Sequence, residues 1–182
     1  MLAGIGGEGD GRAGQIIISD YSGSKTTVPN TSKVQYLDWS PDATKLVYSD
    51  KNRDLYIINR DGTGKTQIAT SAEAVAWRVG EKIAYVFNNG VDFLKIAITK
   101  PDGTTKEVSA AIGGSPQIAE GRIIYFSGLN NAVKSVNISG TGESVILDSF
   151  NKAEFKLSFD NQKLAAGKTG DPGIWLINVD GT

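Results

Sequence analysis

Cysteine and histidine are both absent from the 182 residues. That double absence removes disulfides, thiolate nucleophiles, imidazole acid–base catalysis and the usual zinc and copper ligands. It does not fix a compartment, because an exported protein can simply lack disulfides. No apolar run approaches the roughly 20 residues that a membrane helix needs, so no membrane insertion is expected. No charge sign dominates either: 19 Lys and Arg face 20 Asp and Glu, for a net charge of -1. Nucleic acid is therefore not an expected partner, since no whole-molecule field would hold a polyanion. The opening Met1-Leu2-Ala3-Gly4 carries no basic stretch and no long apolar segment, unlike a signal peptide. The expectation is a mature chain or a piece of a longer one.

What is present is a repeat. The clearest unit runs Leu37-Asp38-Trp39-Ser40-Pro41-Asp42-Ala43-Thr44-Lys45-Leu46-Val47-Tyr48-Ser49-Asp50. It continues through Asp54-Leu55-Tyr56-Ile57-Ile58-Asn59 and Asp61-Gly62 to Thr66-Gln67-Ile68-Ala69. Ser-Pro-Asp and Asp-Gly are turn chemistry, the first through the fixed φ of proline and an Asp–backbone bond, the second through positive φ at glycine. The runs between them are short, β-branched and aromatic, so four strands in a row are expected.

Lys45-Leu46-Val47-Tyr48 returns as Lys82-Ile83-Ala84-Tyr85, Arg122-Ile123-Ile124-Tyr125 and, more weakly, Lys163-Leu164-Ala165-Ala166. The hairpin glycines Gly23, Gly62, Gly103, Gly140 and Gly181 stand 39, 41, 37 and 41 residues apart. A period near 40 residues without helix-period segments points to an all-β propeller, in which radial stacking covers both apolar faces of each four-stranded blade. The expected blade units, within one domain spanning 1–182, are 1–33, 34–70, 71–110, 111–148 and 149–182.

Trp39-Ser40-Pro41-Asp42, Lys45-Leu46-Val47-Tyr48-Ser49, Asp54-Leu55-Tyr56 and Asp61-Gly62 resemble the WD40-like (PD40) repeat of TolB-like propellers. Ala43 stands where the family usually has glycine, and Phe159 stands where Pro41 does. The third and fourth units read Trp77-Arg78-Val79-Gly80 and Ile118-Ala119-Glu120-Gly121 in place of the Ser-Pro-Asp turn. Met1-Leu2-Ala3-Gly4 aligns with a second strand, and Asp180-Gly181-Thr182 ends before a fourth. The expected strand count is thus three, then three blades of four, then three. Either the chain is a fragment of a ring that in TolB-like proteins resembles six blades, or it is a five-bladed ring with two incomplete blades. Unpaired inner and outer strands expose backbone groups that native folds usually satisfy, which favours the fragment.

Gly64-Lys65-Thr66 resembles the end of a phosphate loop, but Asn59 replaces the required glycine and Gly142-Glu143-Ser144 is its counterpart, so a hairpin turn is expected. Gly4, Gly6 and Gly9 have dinucleotide-fingerprint spacing without a βαβ unit and read as a flexible hairpin loop. Asp50, Asn52 and Asp54 are the one metal candidate, half of a calcium loop. Leu55 replaces its glycine and no Glu stands at 61, which makes a polar hairpin the better expectation. Asn30-Thr31-Ser32 and Asn137-Ile138-Ser139 fit the glycosylation pattern and are given no function. Trp39, Trp77, Tyr48, Tyr85 and Tyr125 recur in phase and are assigned to packing between blades. Trp175, with counterparts Tyr56 and Lys95, belongs either to the core or to an exposed contact.

No residue is singled out as catalytic, and no cofactor is expected. The resemblance implies a non-catalytic binding or scaffolding propeller that engages a protein or peptide at one face or at the channel mouth, in a periplasmic or extracellular setting. Three alternatives remain: the gating propeller of a prolyl-oligopeptidase-type serine peptidase, a propeller enzyme of the polysaccharide-lyase kind, and an assembly subunit that takes a strand from a neighbour.

Overall fold

The computed structural model describes residues 1–7, 14–88, 95–109, 114, 116–119, 121–128, 130–148, 154–158, 160–167 and 173–179. The described residues form strands and turns with no helix, hence none long and apolar enough to cross a membrane. The first blade holds β1 (Leu2–Gly7), β2 (Gly14–Ser19) and β3 (Lys25–Thr27); the second holds β4 (Val34–Trp39), β5 (Lys45–Asp50), β6 (Leu55–Asn59) and β7 (Thr66–Ala69). The third comprises β8 (Ala72–Val79), β9 (Lys82–Phe87), β10 (Lys95–Thr99) and β11 (Thr105–Ser109). The fourth comprises β12 (Gln117–Ala119), β13 (Arg122–Ser127), β14 (Ala132–Asn137) and β15 (Ser144–Leu147), and the fifth β16 (Glu154–Leu157), β17 (Lys163–Gly167) and β18 (Ile174–Asn178). Every pairing is antiparallel between chain neighbours, apart from one bridge, Gly14 to Val34, that ties β2 to β4.

The turns explain why the repeat tolerates its substitutions. Ser40 Oγ donates to Asp42 Oδ1 at 2.6 Å and accepts from Lys45 N at 2.9 Å, while Asp42 takes Thr44 N at 3.1 Å. Ser158, Asp160, Gln162 and Lys163 repeat those three bonds at 2.6, 3.1 and 2.9 Å. Serine and aspartate therefore hold the turn, so proline is dispensable; Phe159 itself lies outside the described residues. Ala43 and Asn161 both occupy the left-handed region, at φ 55° and 61°, which is costly for alanine and tolerated by asparagine. In the third and fourth blades Gly80 and Gly121 supply the positive φ instead; Glu120 is outside the described residues.

The core is divided into four inter-blade layers. Ile16, Ile18, Val34, Leu46, Tyr48 and Ile58 fill the first, and Leu55, Ile57, Trp77, Ile83 and Tyr85 the second. Ile96, Ile98, Ile123, Tyr125 and Val136 fill the third, and Ile124, Val133, Phe155, Leu157 and Leu164 the fourth. Strands of the middle sheets are consequently apolar on both faces, as in β5, where every residue after Lys45 is buried. Burying each such aliphatic side chain contributes about 1.5–3 kcal/mol.

The structure corrects one loop assignment. Gly4 and Gly6 lie inside β1, paired with Ile17 and Gln15, and not in a hairpin loop; Gly9 lies outside the described residues. A Cβ on Gly6 would collide with the Ile17 side chain, so close cross-strand packing, and not loop flexibility, accounts for that glycine.

Candidate functional site

A cavity of about 440 Å³ lies beside the inner strands β4 and β8, on the side of the molecule that carries the Ser-Pro-Asp turn. Its walls come from four blades: Met1 of the first, Asp38, Trp39 and Pro41 of the second, Trp77 and Arg78 of the third, and Asn161 of the fifth. Arg78 crosses the space, donating from Nη1 to Leu157 O at 3.4 Å.

Asp38 is the anchored charge of this site. Its Oδ1 accepts Trp39 N and its Oδ2 accepts Trp77 N, each at 2.9 Å, so one carboxylate joins the inner strands of two blades. Burial pushes its pKa up, while the Trp77 and Trp39 amides and then the Arg78 and Lys156 charges pull the other way. Hydrogen bonds to a charged group contribute about 1.5–3 kcal/mol, and a carboxylate held on two amides cannot swing. Trp77 is fixed as well, with its indole Nε1 donating to Gly80 O at 2.9 Å. Trp39 presents a half-buried indole whose Nε1 has no partner. A cavity with aromatic walls, a fixed carboxylate and a guanidinium suits a polar, extended ligand.

Neither Asp38 nor Arg78 was legible as a site residue in the sequence. Their repeat positions carry unrelated side chains, so no motif marks them, and only the convergence of blades brings them together.

The motif candidates resolve into local structure. Gly64 has φ +63°, and a Cβ there would stand 2.8 Å from Asn59 Nδ2; Gly142 repeats this with φ +65° and Asn137 Nδ2 at 2.8 Å. Lys65 lies over the Tyr56 ring, with Nζ 4.4 Å from its centroid, and donates to Asn30 O at 3.2 Å. That is a cation–π contact stitching the β6–β7 hairpin down.

Asp50 Oδ1 accepts Asn52 N at 2.9 Å and Asp54 N at 3.1 Å, while Asp54 Oδ1 takes Gln67 Nε2 at 2.9 Å. The three residues of the calcium candidate do share one turn, with those two carboxylate oxygens engaged by the protein. Among the described residues no group of three Asp, Glu, His or Cys side chains is placed to hold a metal.

Asn30 Nδ2 donates to Gly62 O at 2.9 Å, binding the first blade to the second, and Asn137 Oδ1 accepts Arg122 Nη1 at 3.0 Å. Tyr48, Tyr85 and Tyr125 are buried in successive inter-blade layers. Trp175 pairs with Ala166 as Tyr56 pairs with Tyr48, Ala97 with Tyr85 and Lys134 with Tyr125. Its third-blade counterpart is therefore Ala97 and not Lys95, because the hairpins between second and third strands differ in length and counting from the front loses register. Half of the Trp175 surface is exposed.

Antiparallel sheets of up to four consecutive strands stacked face to face through apolar layers are the architecture of a β-propeller. No family model matches the chain, and no curated protein does. Among solved structures it is similar to putative TolB from Agrobacterium tumefaciens, with TM-score 0.79 and 15% identity over 94% of this chain and 75% of that one. It is similar as well to TolB from Acinetobacter baumannii, with TM-score 0.75 and 15% identity over 91% of this chain and 46% of that one. A chain of a nidogen/laminin complex follows at TM-score 0.63 and 11% identity, over 85% of this chain and 67% of that one. The all-β propeller fold is thereby shown, and two of these three solved neighbours are TolB structures.

Proposed function

We propose that the chain is a non-catalytic binding module of the TolB-like, PD40-repeat kind, one propeller domain that takes an extended segment of a protein or peptide partner at the mouth of its central channel, in the periplasm or outside the cell. The observation that carries this is the four-walled cavity in which Asp38 is held by the Trp39 and Trp77 amides and Arg78 reaches across to the fifth blade. The nidogen/laminin neighbour supports it, since there the fold occurs within a protein–protein assembly. No metal, cofactor or nucleophile enters this reading.

The test is selection of peptides from a random display library against the chain, followed by calorimetric titration of the winners into wild type and Arg78→Glu. Arg78 is exposed and belongs to none of the apolar layers. A loss of about tenfold or more in affinity is expected, as for a charged contact inside a binding site. Peptides that bind both proteins equally would place the partner elsewhere on the molecule.

A further inference from the structure

A basic residue opens the second strand of the second to fifth blades, and in three of them it faces an asparagine on the third strand. Lys45 pairs with Asn59, Arg122 with Asn137 and Lys163 with Asn178. In the last two pairs the asparagine oxygen accepts from the cation, from Arg122 Nη1 and from Lys163 Nζ, at 3.0 Å each. The third blade departs from this pattern. Thr99 pairs with Ile83, which sets Lys100 opposite Lys82, and like charges directly opposite each other in a sheet repel. Ala84 and Ile98, each two residues from one of these lysines, lie in the layer between the third and fourth blades, so strand alternation turns both lysines to that side. Both are exposed, and neither ammonium makes an ion pair or hydrogen bond among the described residues. Asp102 attracts Lys100 from the neighbouring turn, where its own carboxylate is held by Thr104 N at 2.8 Å.

The fourth blade departs at the facing position. Trp39 pairs with Leu46, Trp77 follows Ala76 in the same register, and Ile118 pairs with Ile123, the counterpart of Leu46. Trp77 fills the interface between the second and third blades, 5% exposed, with its indole turned to Gly80 O. Ile118 is shorter and leaves the corresponding space open. A cavity of about 390 Å³ lies there, between Ile118, Gly121 and Ile138 of the fourth blade and Val79, Lys82 and Lys100 of the third. That size falls among ligand pockets, which run from about 300 to 1,000 Å³. Glu81, exposed, stands at its rim. Two independent departures from the repeat, an apolar hollow in the place of an indole and a lysine pair without its asparagine, thus meet in one cavity.

We propose that this cavity binds an aromatic carboxylate, with the ring against Ile118 and Ile138 and the carboxylate bridging Lys82 and Lys100. The site is separate from the channel cavity and does not rest on the reading given for it. The ring supplies the packing contacts that Trp77 supplies one interface earlier. The carboxylate gives each ammonium a charge-assisted hydrogen bond and offsets the repulsion between them. Ring and charge together are offered by a free aryl acid and by a polypeptide that ends in an aromatic residue.

The probes are indole-3-acetate and the tripeptide Gly-Gly-Trp with a free carboxylate, each titrated into the 182-residue chain while backbone amide shifts are followed by NMR. Saturable shifts centred on Lys82, Gly121 and Ile138 are expected. Indole without the charge and acetate without the ring should each bind about tenfold or more weakly than indole-3-acetate. Tighter binding of the tripeptide assigns the site to a chain terminus, and tighter binding of indole-3-acetate assigns it to a free acid. Lys100→Asn restores the pair of the other three blades and should weaken both probes by about tenfold. Ile118→Trp puts the ring of the repeat into the cavity and should abolish binding; if that variant does not fold, Lys100→Asn decides. The proposal is overturned by the absence of a saturable shift with either probe, by shifts confined to Trp39 and Arg78 in the channel, or by undiminished affinity in Lys100→Asn.

Discussion

The second and fifth blades are built from the same repeat and live in different surroundings. Ile57 of β6 is 5% exposed and Leu176 of β18, at the same register, is 73% exposed. The turn glycines show the same divide at the other end of the array. Gly62 has φ +86° and a Cβ there would stand 2.6 Å from Pro29 Cδ and 2.9 Å from Pro29 O, whereas Gly23, also at φ +86°, has nothing within 4 Å. A repeat position thus has two parts, a local part set by turn and strand chemistry and a neighbour part that exists only where another blade is packed on it.

The largest effect is expected where the neighbour part is strongest. Ile57→Ala should cost about 2–5 kcal/mol, as for deletion of a buried aliphatic side chain. Leu176→Ala should stay within about 0.5 kcal/mol, as for an exposed site. Urea denaturation of both variants measures the gap; equal losses would mean that the outer face of β18 is covered in solution and would break the comparison.

Next come the glycines. Gly62→Ala adds a collision with the Pro29 backbone to the left-handed penalty, about 2–4 kcal/mol together, while Gly23→Ala carries only the backbone cost, about 1 kcal/mol. Matched thermal melts of the two variants isolate the inter-blade contribution as their difference.

A smaller and opposite change is expected at Ala43, whose φ of 55° suits glycine. Ala43→Gly should stabilise the protein by about 1 kcal/mol, and a lower urea midpoint would show that the turn relies on the alanine methyl group.

The subtlest test concerns acid. Ser40 Oγ first, then the Thr44 amide and hydroxyl, hold Asp42 down to about 2 from an ordinary 3.8. Its charged form is favoured by folding, so this contribution is complete above pH 3.8 and is lost as pH falls towards 2. Asp160 is shifted in the same direction, by Ser158 first, so its turn should weaken on acidification as well. Asp42→Asn should flatten the second-blade share of the acid dependence in stability measured from pH 5 to 2.

The repeat was legible because its carriers are local. Ser40 and Asp42 make their turn from bonds spanning two to five residues, and Ser158 and Asp160 make the same one without the proline. Among the described residues, eighteen strands in groups of three, four, four, four and three follow the spacing of such turns. Register inside the hairpins is less legible, since the segments between second and third strands vary in length; sequence spacing sets Trp175 against Lys95, and strand pairing sets it against Ala97. The channel site was not legible at all, because the register counterparts of Asp38 are Ala76, Gln117 and Lys156. A functional position inside a repeat is one that departs from the repeat, and a single sequence gives no way to tell such a departure from drift.

The sequence by itself determined the all-β class, the period, the turns and the identity of the apolar layers, because strand alternation and turn chemistry act over a few residues. Only the tertiary structure decided which copies of an identical pattern are buried, that Asp38 is spent on the amide of a neighbouring blade, and that four blades share one cavity. Those outcomes depend on contacts between residues some forty or more positions apart, such as Trp77 with Asp38 and Arg78 with Leu157, and no local rule encodes them.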